Sequence, residues 1–156
     1  MRFSTREDIA APIEVVFGAV SDFNGFERAA MRRGVDVVRT DELKNPGAGM
    51  TWKAQFPFRN RTRNANLKLV DYDPSNGLEL FTRSSGIESS LVIDLVALSR
   101  NRTRMNLSLD LRPKTIPGRL MIQSLRLAKA TLNKRFRKRV ADFAENVEER
   151  YGPPAA

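Results

Sequence analysis

The sequence predicts one α+β domain in which a long, basic C-terminal helix closes a curved antiparallel sheet of about seven strands. Three observations carry this. Between Val35 and Arg112, apolar residues recur at alternate positions in runs separated by tight turns, the pattern of an antiparallel meander with one packed and one wet face. From Met121 to Val147 the apolar period becomes three to four residues, the spacing of one helix face. The charge is concentrated in the same place. Of 27 bases and 18 acids (net +9), ten bases and no acid lie between Asp110 and Asp142, leaving 17 bases against 18 acids elsewhere.

Taken in order, Phe3–Ile9 forms a first strand, and Ala10-Ala11-Pro12 ends it because proline has no N–H to donate. Ile13, Val16, Phe17 and Val20 mark a short helix, interrupted by Ser21-Asp22-Phe23-Asn24-Gly25. A second short helix runs from Phe26 to Arg33 and stops at Gly34. Val35 to Leu43 is a strand, and Asn45-Pro46-Gly47-Ala48-Gly49 a turn. This Gly-rich turn lacks the Lys-Ser/Thr of a phosphate loop and reads as a hairpin connection at a pocket rim.

Strands follow over Met50–Arg59, Thr62–Tyr72, Leu78–Ser84, Ile87–Leu98 and Thr103–Arg112, with turns at Asn60-Arg61, Asp73–Gly77, Ser85-Gly86 and Ser99–Arg102. The last is the cleanest: Thr103, Met105, Leu107, Leu109 and Leu111 alternate with polar residues. After Pro117 a single helix of about 35 residues, on the order of 50 Å long, runs to Tyr151 and ends at Gly152-Pro153-Pro154. A helix that long needs an apolar bed, and the inner sheet face is the large one available. The expected domain spans residues 1–152, with 153–156 a tail.

Composition narrows the chemistry. With neither cysteine nor histidine there is no disulfide, no thiolate, no Ser-His dyad and no zinc site built on nitrogen or sulfur. No cofactor or metal is expected. No apolar run reaches the roughly 18 residues of a membrane span, and acids precede any apolar stretch at the N-terminus, so a reduced, cytoplasmic setting is expected.

The element order, with Ile9-Ala10-Ala11-Pro12-Ile13-Glu14-Val15-Val16-Phe17 followed by Val20-Ser21-Asp22-Phe23, resembles the START-like superfamily, also called SRPBCC or Bet v 1-like. Gly49-Met50-Thr51-Trp52 and the closing amphipathic helix agree with it, and the resemblance covers nearly the whole chain. It implies a helix-grip fold with a cavity between the C-terminal helix and the concave sheet. It further implies either carriage of a hydrophobic small molecule (lipid, quinone or polyketide-like) or polyketide cyclase/dehydratase chemistry. Cyclase chemistry would have to run without histidine.

For such a cavity, alternation nominates Trp52, Phe56, Phe58, Leu67, Met105 and Leu107 from the sheet, facing Met121, Leu125, Leu132 and Phe136 from the helix. The same residues also suit a filled core. Lys129 falls near the helix stripe, placed either to meet a ligand anion or to reach solvent. Asp94 would be an acid–base candidate if it faced inward, but it shares a strand face with Glu88, Ser90 and Val92, which favours the outside. Asp71 and Asp73 read as turn chemistry.

Leu120 and Leu127 form a second apolar row, suited to packing under a loop, a subunit contact or a membrane-facing patch. The run Lys134-Arg135-Phe136-Arg137-Lys138-Arg139 has no aromatic free to stack on bases, so nucleic acid is disfavoured. It reads first as a solvated face and next as a surface for anionic lipid headgroups or another acidic partner.

Overall fold

The computed structural model describes residues 1–152; the expected tail, 153–156, lies outside the described residues. The chain begins with β1 (Arg2–Ile9), α1 (Ile13–Val20) and α2 (Phe23–Arg32). The meander follows: β2 (Asp36–Arg39), β3 (Thr51–Phe58), β4 (Arg61–Asp73), β5 (Gly77–Ser84), β6 (Ile87–Ser99) and β7 (Arg102–Pro113). Two helices end it, α3 (Ile116–Leu127) and α4 (Lys129–Tyr151). The strands form one antiparallel sheet in the order β1-β7-β6-β5-β4-β3-β2, so the first strand closes the far edge by pairing with the last. This is the helix-grip fold that the sequence predicts.

Alternation sets the faces. Cross-strand partners Trp52 and Leu67, Leu69 and Leu80, Leu80 and Leu91, and Ile93 and Leu107 put one apolar row across the concave side. α4 covers only the β1 side of that face, where Val140, Ala144 and Val147 are buried beside Ile9 and Met105. Phe3 of β1 meets Phe136 of α4 with ring centroids 6.0 Å apart. Two polar ties fix the same corner: the Thr103 hydroxyl donates to the Ala11 carbonyl (2.9 Å), and the Ala10 N–H donates to Glu148 Oε1 (2.9 Å). Thr103 is fully buried, so its hydroxyl needs that acceptor.

Three boundaries differ from the sequence expectation. The single 35-residue helix is broken at Ala128, where φ −105° and ψ 15° leave the helical range. No glycine or proline stands at the joint. Residues 126–131 around the joint are all exposed, while α3 packs against β7 and α4 against β1, so the two helices follow different beds.

α3 is seated by its start. Thr115 caps Gly118 N–H (3.0 Å), and Lys114 N–H donates to Gly86 O (2.7 Å). Gly86 turns at φ +74°, a conformation that glycine adopts freely.

The second short helix begins at Phe23 rather than Phe26, because the Asp22 side chain caps Gly25 N–H (3.1 Å). β2 is four residues long, not nine. Beyond it, Asp41 draws the chain into a turn by accepting from Arg39 and from the Leu43 and Thr51 amides (each 2.9 Å). The arginine and the amides hold the Asp41 carboxyl well below the usual carboxylate range.

Candidate functional site

Where α4 leaves the concave face uncovered, α2 covers it loosely. α2 has no buried residue, and beneath it lies a cavity of about 360 Å³. Trp52, Ala54, Leu67 and Leu69 of β3 and β4 and Leu78, Leu80, Leu91 and Ile93 of β5 and β6 form its floor. Phe23, Phe26, Glu27 and Ala30 of α2 form its roof. An aromatic chain runs along its edge: Phe23 lies 5.5 Å from Trp52 and 6.4 Å from Tyr72, which meets Phe17 edge-on at 5.4 Å.

Among the described residues, Glu27 is the one charged side chain that lines the cavity. Its Oε1 accepts from Trp52 Nε1 at 2.8 Å, satisfying the N–H of an indole that is 5% exposed. Among the described residues Glu27 Oε2 has no hydrogen-bond partner. The cavity is therefore apolar with a single acceptor at its lip.

A second cavity of about 220 Å³ follows along the same strands, floored by Phe56, Thr82, Ser84 and Ser89 and flanked by Met121 and Leu125 of α3. Ala54 and Phe56, Leu80 and Thr82, and Leu91 and Ser89 are alternate residues of shared strands, so the two cavities are successive stretches of one trough. Both stretches are apolar; in the smaller one the Ser84 hydroxyl is turned to the Asn64 carbonyl, to which it donates (2.7 Å).

The residues that alternation nominates separate into groups. Trp52 and Leu67 line the larger cavity; Phe56, Phe58, Met121 and Leu125 line the smaller. Met105, Leu107 and Phe136 belong to or pack against the buried core, and Leu132 is half-buried. Lys129 is exposed at the first turn of α4 and lines neither stretch of the trough. Asp94 is exposed on the convex face, level with Asn106 of β7, so it does not reach the trough.

Sequence reasoning missed Glu27, the α2 side chains and the β5–β6 leucines. The leucines carried a signal in their own alternation (Leu78, Leu80; Leu91, Ile93). Nothing local places the Glu27 carboxylate over Trp52, because the two are 25 residues apart.

The opposite side of α2 faces a groove of about 700 Å³ against α4, lined by Arg28, Arg32, Arg33, Arg139 and Arg150 together with Asp22 and Asp142. Phe26 borders both spaces and stacks on Phe143 at 6.1 Å. Among the described residues, no group of three or more carboxylates converges to hold a metal ion, and no helix is long and apolar enough to cross a membrane.

A family model described as "Polyketide cyclase / dehydrase and lipid transport" matches residues 1–148. None of the curated proteins matches the chain. Among solved structures, the Zhui aromatase/cyclase of Streptomyces sp. R1128 is similar at 13% identity, covering 96% of this chain and 94% of that one, with a TM-score of 0.67. A protein of Thermus thermophilus is similar at 16% identity, covering 94% and 97%, also with a TM-score of 0.67. A START superfamily protein of Mycobacterium smegmatis is similar at 13% identity, covering 86% and 95%, with a TM-score of 0.56. Likeness at these identities is likeness of fold.

Proposed function

The chain belongs to the polyketide cyclase/dehydrase and lipid transport family, and from that premise we propose that it binds a mostly apolar small molecule with one hydrogen-bond donor in the cavity under α2. The observation that carries this reading is an apolar space of about 360 Å³ whose single charged lining group among the described residues is Glu27. Both roles in the family's description call for a space of this kind.

The size falls within the range of small-molecule sites. A ligand that buries on the order of 300 Å² of apolar surface gains about 7 kcal/mol before the cost of association. Glu27 Oε2 then sets the preference. A hydroxylated lipid, a quinol or a polyketide-like phenol donates to it, whereas a wholly apolar molecule gives Oε2 no donor. That difference favours the hydroxylated ligand by about tenfold.

Trp52 is the sole tryptophan and lines the cavity, so its emission reports occupancy directly. Titration with long-chain alcohols, quinols and polyketide-like phenols is expected to give a saturable change. Ala54→Phe, which fills the cavity from β3, is expected to abolish that change while the circular dichroism spectrum stays native. If none of the three classes gives a saturable signal and native mass spectrometry shows no retained ligand, the binding reading is wrong.

A second reading, catalysis of the cyclase/dehydratase type, is favoured by one observation: a carboxylate with a free oxygen stands at the cavity lip. In that case Glu27→Gln loses turnover by far more than the about tenfold it costs in affinity, while Asp94→Asn on the convex face changes neither. Turnover that survives Glu27→Gln would remove this reading.

A further inference from the structure

Helix α3 has two unlike faces. Gly118 and Ile122 are buried, and Met121 and Leu125 line the smaller cavity. On the other side Ile116 is 75% exposed, Leu120 60% and Leu127 93%. At about 100° per residue these three lie within about 40° of one another. A helix therefore presents a bare apolar row along its outer edge, where solubility alone would place polar residues.

Its surroundings are cationic. Arg119 and Arg126 flank the row and no acid occurs from residue 111 to 141; Lys114, which precedes the row, is paired with Glu88 of β6 (3.7 Å). The tip of the β3–β4 hairpin stands alongside, because Phe58 lines the same small cavity as Met121 and Leu125. Phe58 is 37% exposed, with the guanidinium of Arg59 5.3 Å and that of Arg63 5.9 Å from its ring centre.

We propose that α3 and the β3–β4 hairpin tip form a docking face for an anionic lipid bilayer, with Ile116, Leu120, Leu127 and Phe58 entering the headgroup region. Arg119, Arg126, Arg59 and Arg63 then meet lipid phosphates around them. Charge selects this occupant. A second copy packed symmetrically would press two acid-free cationic segments together. A nucleic acid would satisfy the arginines but leave the apolar row against water or phosphate. A negatively charged bilayer satisfies both features at once. This face does not depend on Glu27 or on the larger cavity, so it can be tested apart from the binding reading.

The test uses the full chain and sedimentable vesicles of phosphatidylcholine, alone or mixed with phosphatidylglycerol. The protein is expected to partition onto the anionic vesicles and only weakly onto the neutral ones. Ile116→Ser/Leu120→Ser/Leu127→Ser is expected to lower the partition coefficient by at least about tenfold with an unchanged melting temperature, since these positions are exposed. Arg119→Gln/Arg126→Gln is expected to lower it by about thirtyfold at low salt and to flatten its salt dependence.

The sequence has no cysteine, so Leu127→Cys carries a single environment-sensitive dye, whose emission should shift blue on anionic vesicles. No partitioning at all, or equal partitioning of the serine variant with no dye shift, overturns the proposal. So does an oligomer that the serine variant dissolves in the absence of any vesicle binding.

Discussion

Helices α3 and α4 are consecutive and share one unbroken helical period in sequence, yet their apolar residues meet different fates. α4 buries Val140, Ala144 and Val147 against β1 and the core, and Phe136 finds Phe3. α3 seats one side over the smaller cavity and leaves Ile116, Leu120 and Leu127 bare. An apolar row is therefore core only where another element lies opposite it. The bare row lies off the stripe that continues into α4, on the side of α3 turned away from the smaller cavity, and is a surface waiting for a partner.

The contrast predicts a graded set of effects. The largest belongs to α4. Val140→Asp places an unpaired charge in the core and is expected to cost about 4 kcal/mol or more, visible as loss of a cooperative melt. Should that variant melt like the native protein, α4 would not be packed as described.

Next is the seat of α3. A Cβ at position 118 would collide with the carbonyl oxygen of Gly86, so Gly118→Ala is expected to cost about 1–3 kcal/mol. Amide exchange should accelerate in α3 and stay slow in α4. Uniform acceleration in both would mean that the two helices open as one unit, which would erase the difference between them.

Thr103→Val comes third. It leaves the buried Ala11 carbonyl without its donor at the corner that α4 also ties, and is expected to cost about 1–2 kcal/mol in denaturant melts.

A smaller effect appears with acid. The Arg104 guanidinium beside Asp8, Arg39 beside Asp41 and Arg83 beside Glu88 each hold a carboxyl below its ordinary range. Folding therefore favours the charged forms. Their stabilisation is complete above the unfolded carboxylate pKa and is lost as pH falls through the lowered folded values, below about pH 4. With no histidine present, the melting temperature should stay nearly level from pH 8 to about pH 5 and then fall. Asp8→Asn should soften that fall.

The smallest effect is at the bare row: Leu127→Ser is expected to change stability by no more than about 0.5 kcal/mol. A large loss there would show that the row is covered in the native protein.

Much of the fold was readable because its signals are local. Alternation from Val35 to Arg112, Ala10-Ala11-Pro12 after the first strand and the Asp73–Gly77 turn each act over a few residues. The candidate site was readable only in part. Trp52 and Leu67 follow from alternation on their strands, and Leu78, Leu80, Leu91 and Ile93 could have followed in the same way. Glu27 could not, because its place over Trp52 comes from α2 crossing over β3.

By itself the sequence determined the order of elements, the face of each strand, the confinement of the positive charge and a chemistry without histidine or cysteine. All of these are properties of composition or of periods a few residues long. Tertiary structure decided the break at Ala128, the half of the concave face that α4 leaves open, the carboxylate over Trp52 and the outward turn of Lys129 and Leu127. Each of these depends on which surfaces meet, and the pairing of distant surfaces is set by packing the whole chain rather than by any local run of residues.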